Sequence, residues 1–215
     1  MSIRATALAS LVLAALAIPQ LSSAADKMAT DKWPESAKKA VKEMTDKYGE
    51  PSGSMPTQLV WTNKGPYKEI ILLNEEYEHD FPVMHKDCLE HVVAYKVPVD
   101  KIGDLAKFDG SVIVDRTRGT LGARCDTEAH NLIALNLAND IITGKKSVDE
   151  ARQAYADIVK EEKDGKKPAY TQTLQFKPVA LMSAGDKDMP LQAKAGAADS
   201  KEAIPAADKS APIQD

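Results

Sequence analysis

Only two cysteines occur in 215 residues, Cys88 and Cys125, and they form no Cys-x-x-Cys. That excludes a disulfide-rich scaffold and a thioredoxin-like redox pair. Aromatic residues are scarce at 5%, beside an ordinary 43% of hydrophobic residues, so the core must be aliphatic and something polar must dilute the chain. Positive charge is not in excess either: 28 Lys and Arg stand against 32 Asp and Glu, a formal net charge of -4. No basic surface then recommends nucleic acid or anionic lipid as a partner. Catalytic signatures are also missing. There is no Gly-x-Ser-x-Gly, no His-Glu-x-x-His, no phosphate-binding glycine loop and no dinucleotide fingerprint, so no catalytic residue and no cofactor follows from a motif.

One long apolar run exists, and it is N-terminal. Arg4 precedes an Ala- and Leu-rich stretch over residues 5–18, Pro19 breaks it, and Leu-Ser-Ser-Ala-Ala-Asp follows with small residues at cleavage positions. This is the pattern of an export signal, over residues 1–24, cut after Ala24 or Ala25. The run is shorter than the ~20 residues a membrane span needs, and nothing later is long or apolar enough. The product is expected to be periplasmic or secreted, with no membrane span once the signal is removed.

Residues 25–163 read as a single α+β domain: small antiparallel β-hairpins packed with about five helices. Pro34 opens a helix to Tyr48, with Ala37, Val41, Met44 and Tyr48 at helical spacing and Gly49 and Pro51 as its stop. Residues 57–63 and 67–74 form a hairpin about Asn63-Lys-Gly-Pro66. The acidic residues 75–80 lack calcium-loop spacing and read as a solvated connection. Leu89, Val92 and Val93 then suggest a helix over residues 85–95, followed by a short helix over residues 100–108. A second hairpin spans residues 111–125, turning at Arg118-Gly119. Two helices close the domain, over residues 128–143 and 148–162, the latter opened by the capping box Ser147-Val-Asp-Glu150. Residues 164–182 read as a linker with a possible docking strand. The Ala-, Asp-, Lys- and Pro-rich residues 183–215 have too little apolar surface to repay ordering, so a disordered tail is expected.

Chemistry concentrates in residues 79–91, which hold His79, His85, His91 and Cys88; Cys125 and His130 follow later. All are competent metal ligands. On a helix, His85, Cys88 and His91 would stand at i, i+3 and i+6, with ~9 Å of rise between the outer two. Three donors so spread cannot share one ion. A zinc or copper site would therefore take a pair such as His85 and Cys88 and add Cys125 or His130. In an exported protein the two cysteines also invite a Cys88–Cys125 disulfide, worth ~4 kcal/mol for a loop of about 37 residues; two separate buried thiols are the alternative. Cys125, after Arg124 and just before a helix, is a further candidate as a reactive thiolate. Arg116, Arg118 and Arg124 cluster on the second hairpin and can grip a carboxylate or phosphate ligand, or else form surface ion pairs.

The strings Phe108-Asp-Gly-Ser-Val-Ile-Val-Asp-Arg-Thr-Arg-Gly119, Ala123-Arg-Cys-Asp126 and Leu135-Asn-Leu-Ala-Asn-Asp-Ile-Ile-Thr-Gly-Lys145 carry a likeness. Over residues 33–159 the chain resembles a group of exported bacterial proteins with no assigned activity. Separately, Asp46-Lys-Tyr-Gly-Glu-Pro51 leading to a Trp-bearing hairpin resembles the helix–hairpin unit of small outer-membrane assembly lipoproteins, without their lipidation cysteine. Neither likeness implies a chemistry. The first expectation is thus a non-enzymatic exported protein, binding or structural, acting on an envelope partner or a small anionic ligand. The rival is a metal- or thiol-dependent enzyme, or a metal-binding protein, using Cys125, His130 and residues 79–91.

Overall fold

The computed structural model describes residues 30–180 and 184–188; the expected signal peptide and the tail from residue 189 onward lie outside them. Helix α1 (Glu35–Tyr48) follows Pro34 and ends at Gly49, whose φ of 79° suits the left-handed region glycine favours. It buries Ala37, Ala40 and Met44, one stripe at helical spacing. Strands β1 (Gly53–Met55), β2 (Gln58–Lys64) and β3 (Tyr67–His79) come next. The buried Trp61 of β2 donates its indole N–H to the Gly49 carbonyl at 2.8 Å, tying the end of α1 to the sheet.

Residues 85–95, expected as a helix, are instead strand β4 (His85–Ala94). The described residues therefore form four α-helices rather than about five. The two hairpins are parts of one six-stranded sheet, ordered β1-β2-β3-β4-β6-β5 and antiparallel throughout. The α+β class stands. The reason for the difference is local. Leu89, Val92 and Val93 mimic a helical stripe, but β4 is hydrogen-bonded between β3 and β6 and buries Cys88, Val92 and Ala94 as well as Leu89 and Val93, so buried apolar residues occupy both sides of it. Its core-facing positions, 85, 87, 89, 91 and 93, include His85, Asp87 and His91, and these polar residues hide the period of two. Strand β3 also absorbs the acidic stretch expected as a connection, continuing past an irregularity between Leu72 and Tyr77 as far as His79.

Helix α2 (Ile102–Phe108) leads into β5 (Val112–Asp115), and β5 turns into β6 (Thr120–Cys125). Helix α3 (Glu128–Ile142) is buried nearly all round, as its mostly apolar sequence requires. Its buried polar residues are all engaged. Glu128 accepts from Lys47, Tyr48 and Tyr67 at 2.5, 2.6 and 3.0 Å. Asn131 Nδ2 donates to the Leu89 carbonyl at 2.7 Å and to His91 Nδ1 at 2.9 Å. Helix α4 (Val148–Lys163) opens on the capping box of Ser147 and Glu150.

After α4 the chain folds back over the domain without forming a strand between residues 164 and 180. Asn136 of α3 holds this segment by donating to the carbonyls of Tyr170 and Thr173 and accepting from the Gln175 amide. Farther on, the Val179 amide donates to the Ala94 carbonyl at 3.1 Å. No helix among the described residues is long and apolar enough to cross a membrane.

Candidate metal centre

The β3–β4 hairpin places His79 directly opposite His85. Two residues along β4, Asp87 points to the same side as His85, because side chains repeat every second residue in a strand. The corner between α2 and β5 brings up Asp109 and Ser111. The result is a buried cluster of two imidazoles and two carboxylates. Among the described residues, no lysine or arginine pairs with Asp87 or Asp109.

The distances are specific. His85 Nε2 stands 3.0 Å from Asp87 Oδ1, His79 Nδ1 stands 3.3 Å from Asp87 Oδ2, and His79 Nε2 stands 3.7 Å from Asp109 Oδ1. Ser111 donates its hydroxyl to Asp87 Oδ2 and its amide to Asp109 Oδ1, the latter at 2.7 Å. His85 Nδ1 is 2.8 Å from the Val83 carbonyl. A carbonyl only accepts, so Nδ1 carries the proton, and a neutral His85 must turn the lone pair of Nε2 toward Asp87. Two acceptors then face each other at 3.0 Å. Neither has a hydrogen-bond partner of acceptable geometry, and Asp109 Oδ2 close by lacks one as well. Three buried polar atoms without a hydrogen-bond partner, gathered in one place, form a site that a cation would satisfy.

The donor set fits a metal. His79, His85 and Asp87 each offer one ligand atom, all within 4.8 Å of one another. A tetrahedral ion with ~2.1 Å bonds requires donors ~3.4 Å apart, which is within reach of small side-chain rotations. The outer contacts are those that metal-binding histidines need: the free N–H of His85 goes to a backbone carbonyl, and His79 Nε2 faces the Asp109 carboxylate. The Asp87 side chain is 3% exposed and that of Asp109 0%, whereas His79 keeps 16%, so the cluster meets solvent beside His79. Electrostatics agree with a demand for positive charge. Burial pushes the Asp109 carboxyl up and Asp87 adds to it, against the Ser111 amide and the histidines. Burial alone would lower the His85 pKa, yet Asp87, the Val83 carbonyl and Asp126 leave it raised.

Of the competent ligands named from sequence, His79 and His85 belong to this cluster, and Cys88, His91, Cys125 and His130 do not. His130 lies nearby, its ring 6.3 Å from that of His85, but both its nitrogens are engaged, with Asp126 at 2.7 Å and Glu162 at 3.1 Å. Burial works against its charge, and the two carboxylates outweigh that and raise its pKa. Cys88 and Cys125 are both free and buried, so of the two alternatives the separate buried thiols are found and the disulfide is not formed. Cys125 pairs across the ladder with Leu89 rather than Cys88 and packs against the Tyr155 hydroxyl at 3.4 Å. Burial holds its thiol well above the usual range, which removes the thiolate a reactive cysteine needs. The Cys88 thiol is likewise pushed up, to about 11. His91 is sealed inside against Asn131 and the Tyr67 ring.

The arginines do not converge on one ligand. Arg118 pairs with Glu69 at 2.7 Å, Arg124 lies over the Tyr77 ring at 5.1 Å, and Arg116 holds Asp186 from the far end of the chain. The residues missed from sequence are Asp87, Asp109 and Ser111. His85-x-Asp87 at strand spacing was the available signal, and reading a helix there concealed it. Comparison with protein-family models, curated proteins and solved structures finds no match, so the likeness to exported bacterial proteins rests on the strings quoted above.

Proposed function

We propose that this is an exported metal-binding protein whose His79, His85 and Asp87 hold one first-row divalent ion, with Asp109 and the Val83 carbonyl orienting the two imidazoles. The observation that carries this reading is the convergence on one cluster of three buried polar atoms without a hydrogen-bond partner, with no lysine or arginine among the described residues paired to its carboxylates. Two buried carboxylates without compensation are costly, and a divalent ion supplies the charge in one step. Two imidazoles and a carboxylate suit zinc and its neighbours in the series; without a thiolate or thioether they suit Cu(I) poorly. Three protein donors leave a coordination position for water or a small anion, the arrangement of sites that exchange ligands rather than of closed structural zinc.

The test is calorimetric titration of Zn2+ into the full, untagged mature chain recovered from the exported fraction. One ion per chain at micromolar affinity or tighter is expected, with His85→Ala and Asp87→Asn each weakening binding at least 100-fold. An unaltered affinity in Asp87→Asn, or no stoichiometric uptake by a folded protein, would falsify the reading. In that case the cluster is an imidazolium–carboxylate network with a structural role. Sequencing the N terminus of the same material tests the export proposal: a start at Ala25 or Asp26 is expected, and an intact Met1 refutes cleavage.

A further inference from the structure

Arg116 finds a carboxylate ligand, and that ligand belongs to its own chain. The turn joining β5 to β6, Arg116-Thr-Arg-Gly119, is built without help. Gly119 N donates to the Arg116 carbonyl at 3.1 Å, while Asp115 Oδ1 accepts from the Arg118 amide at 2.9 Å and the Thr117 hydroxyl at 3.1 Å. A self-supported turn is a preformed surface. Residues 184–188 are seated on it.

The seat is shaped by missing side chains. A Cβ on Gly119 would stand 2.3 Å from the carbonyl carbon of Ala184 and 2.4 Å from the Gly185 nitrogen. The backbone at residues 184–185 therefore presses directly onto the α-carbon of Gly119, whose φ of 65° is itself unfavourable for other residues. Gly185 is equally constrained, since a Cβ there would lie 2.9 Å from the Thr117 carbonyl oxygen. Ala184 is 1% exposed. Polar contacts complete the fit. The Asp186 amide donates to the Arg116 carbonyl at 2.8 Å, and the Asp186 carboxylate accepts from Arg116 Nε at 3.2 Å and Nη2 at 2.7 Å. Nη2 also reaches Asp188 Oδ1 at 3.4 Å, and the Asp188 amide caps Asp186 Oδ1 at 2.8 Å.

Small residue, glycine, aspartate: each position is specified by a different feature of the turn. The first must be small to enter the buried notch, the second must lack a Cβ, and the third must bring a carboxylate to Arg116. We propose that the β5–β6 turn is a docking site for a short peptide of the form small residue–Gly–Asp, with Arg116 as its carboxylate clamp, and that residues 184–188 are its ligand in cis. A tethered ligand acts at an effective concentration on the order of millimolar, so a peptide from another molecule gains access only when the chain's own segment is displaced. This proposal uses none of the residues of the metal reading.

The test uses the full chain carrying Ala184→Trp, which cannot enter the notch but leaves Arg116 and Gly119 in place. A fluorescent peptide of sequence Ser-Ala-Gly-Asp-Lys-Asp is titrated by anisotropy. Binding to this variant at least tenfold tighter than to the wild type is expected, with the gain abolished by adding Arg116→Ala. Equal binding to both chains, or binding to neither, overturns the proposal. Hydrogen exchange in the unmutated protein gives an independent reading. The Asp186 amide should be protected and should exchange at least tenfold faster in Arg116→Ala; exchange at the unstructured rate in the wild type sinks the idea.

Discussion

Acid should unfold this protein through His91, a residue outside the candidate site. His91 is fully buried, and burial pulls its pKa from 6.5 down to about 3, only partly opposed by the charge of Glu128. Asn131 Nδ2 donates to Nδ1, so the proton of the neutral ring sits on Nε2, beside the Tyr67 ring at 4.4 Å between centroids. The folded state thus binds no proton at His91 where the unfolded state does. Stability is complete above the unfolded pKa and falls as pH drops from about 6.5 towards 3. The slope is ~1.4 kcal/mol per pH unit, giving a loss of about 3 kcal/mol between pH 7.5 and 4.5 from this residue alone. His85 and His130 have raised pKa values and act with the opposite sign, their contribution being lost as pH rises. The comparison must therefore be between two proteins that differ only at His91. His91→Asn retains an acceptor for Asn131 and cannot titrate. It should be less stable than the wild type by about 1–3 kcal/mol at pH 7.5, from lost packing. By urea denaturation with chelator present, that difference should shrink or reverse by about 3 kcal/mol at pH 4.5. A difference that stays constant within about 0.5 kcal/mol across this range refutes the reasoning.

Three further outcomes are expected. Asp109→Asn should weaken zinc binding about 10–100-fold in competition titrations, as loss of a carboxylate behind a ligating histidine does, whereas His130→Gln, whose wild-type ring is engaged by Asp126 and Glu162, should change it by less than about threefold. Thiol titration should find no accessible cysteine in the native chain and two after denaturation without reductant, since Cys88 and Cys125 are free and buried; a single disulfide in the unreduced chain contradicts the structure. Asn136→Ala leaves the carbonyls of Tyr170 and Thr173 and the amide of Gln175 without their partner, at a cost of about 2–3 kcal/mol. Hydrogen exchange should show residues 170–175 released, and unchanged protection there would count against Asn136 as their anchor.

Local signals were enough wherever chemistry and periodicity agreed. Pro34 and Gly49 bracket α1, the Ser147–Glu150 box opens α4, and the alternation before and after Asn63 marks β2 and β3. Capping and turn residues act over a few positions, so they can be read without knowing what packs above them. Strand β4 shows where this stops. Its inward positions carry His85, Asp87 and His91, and an inward polar residue makes sense only once its partner is known. Those partners are Ser111 from the α2–β5 corner, which donates to Asp87, and Asn131 from α3, which donates to His91, both distant in sequence. The candidate metal cluster and the fate of the arginines share that origin. Nothing local to Arg116 announces Asp186, 70 residues on, and nothing local to His79 announces Asp109. From the amino-acid order alone came the α+β class, the limits of most elements, the expectation of export and the concentration of chemistry in residues 79–91. Tertiary structure decided which of those side chains meet, because charge compensation inside a core depends on groups that only the closed sheet and its covering helices bring together.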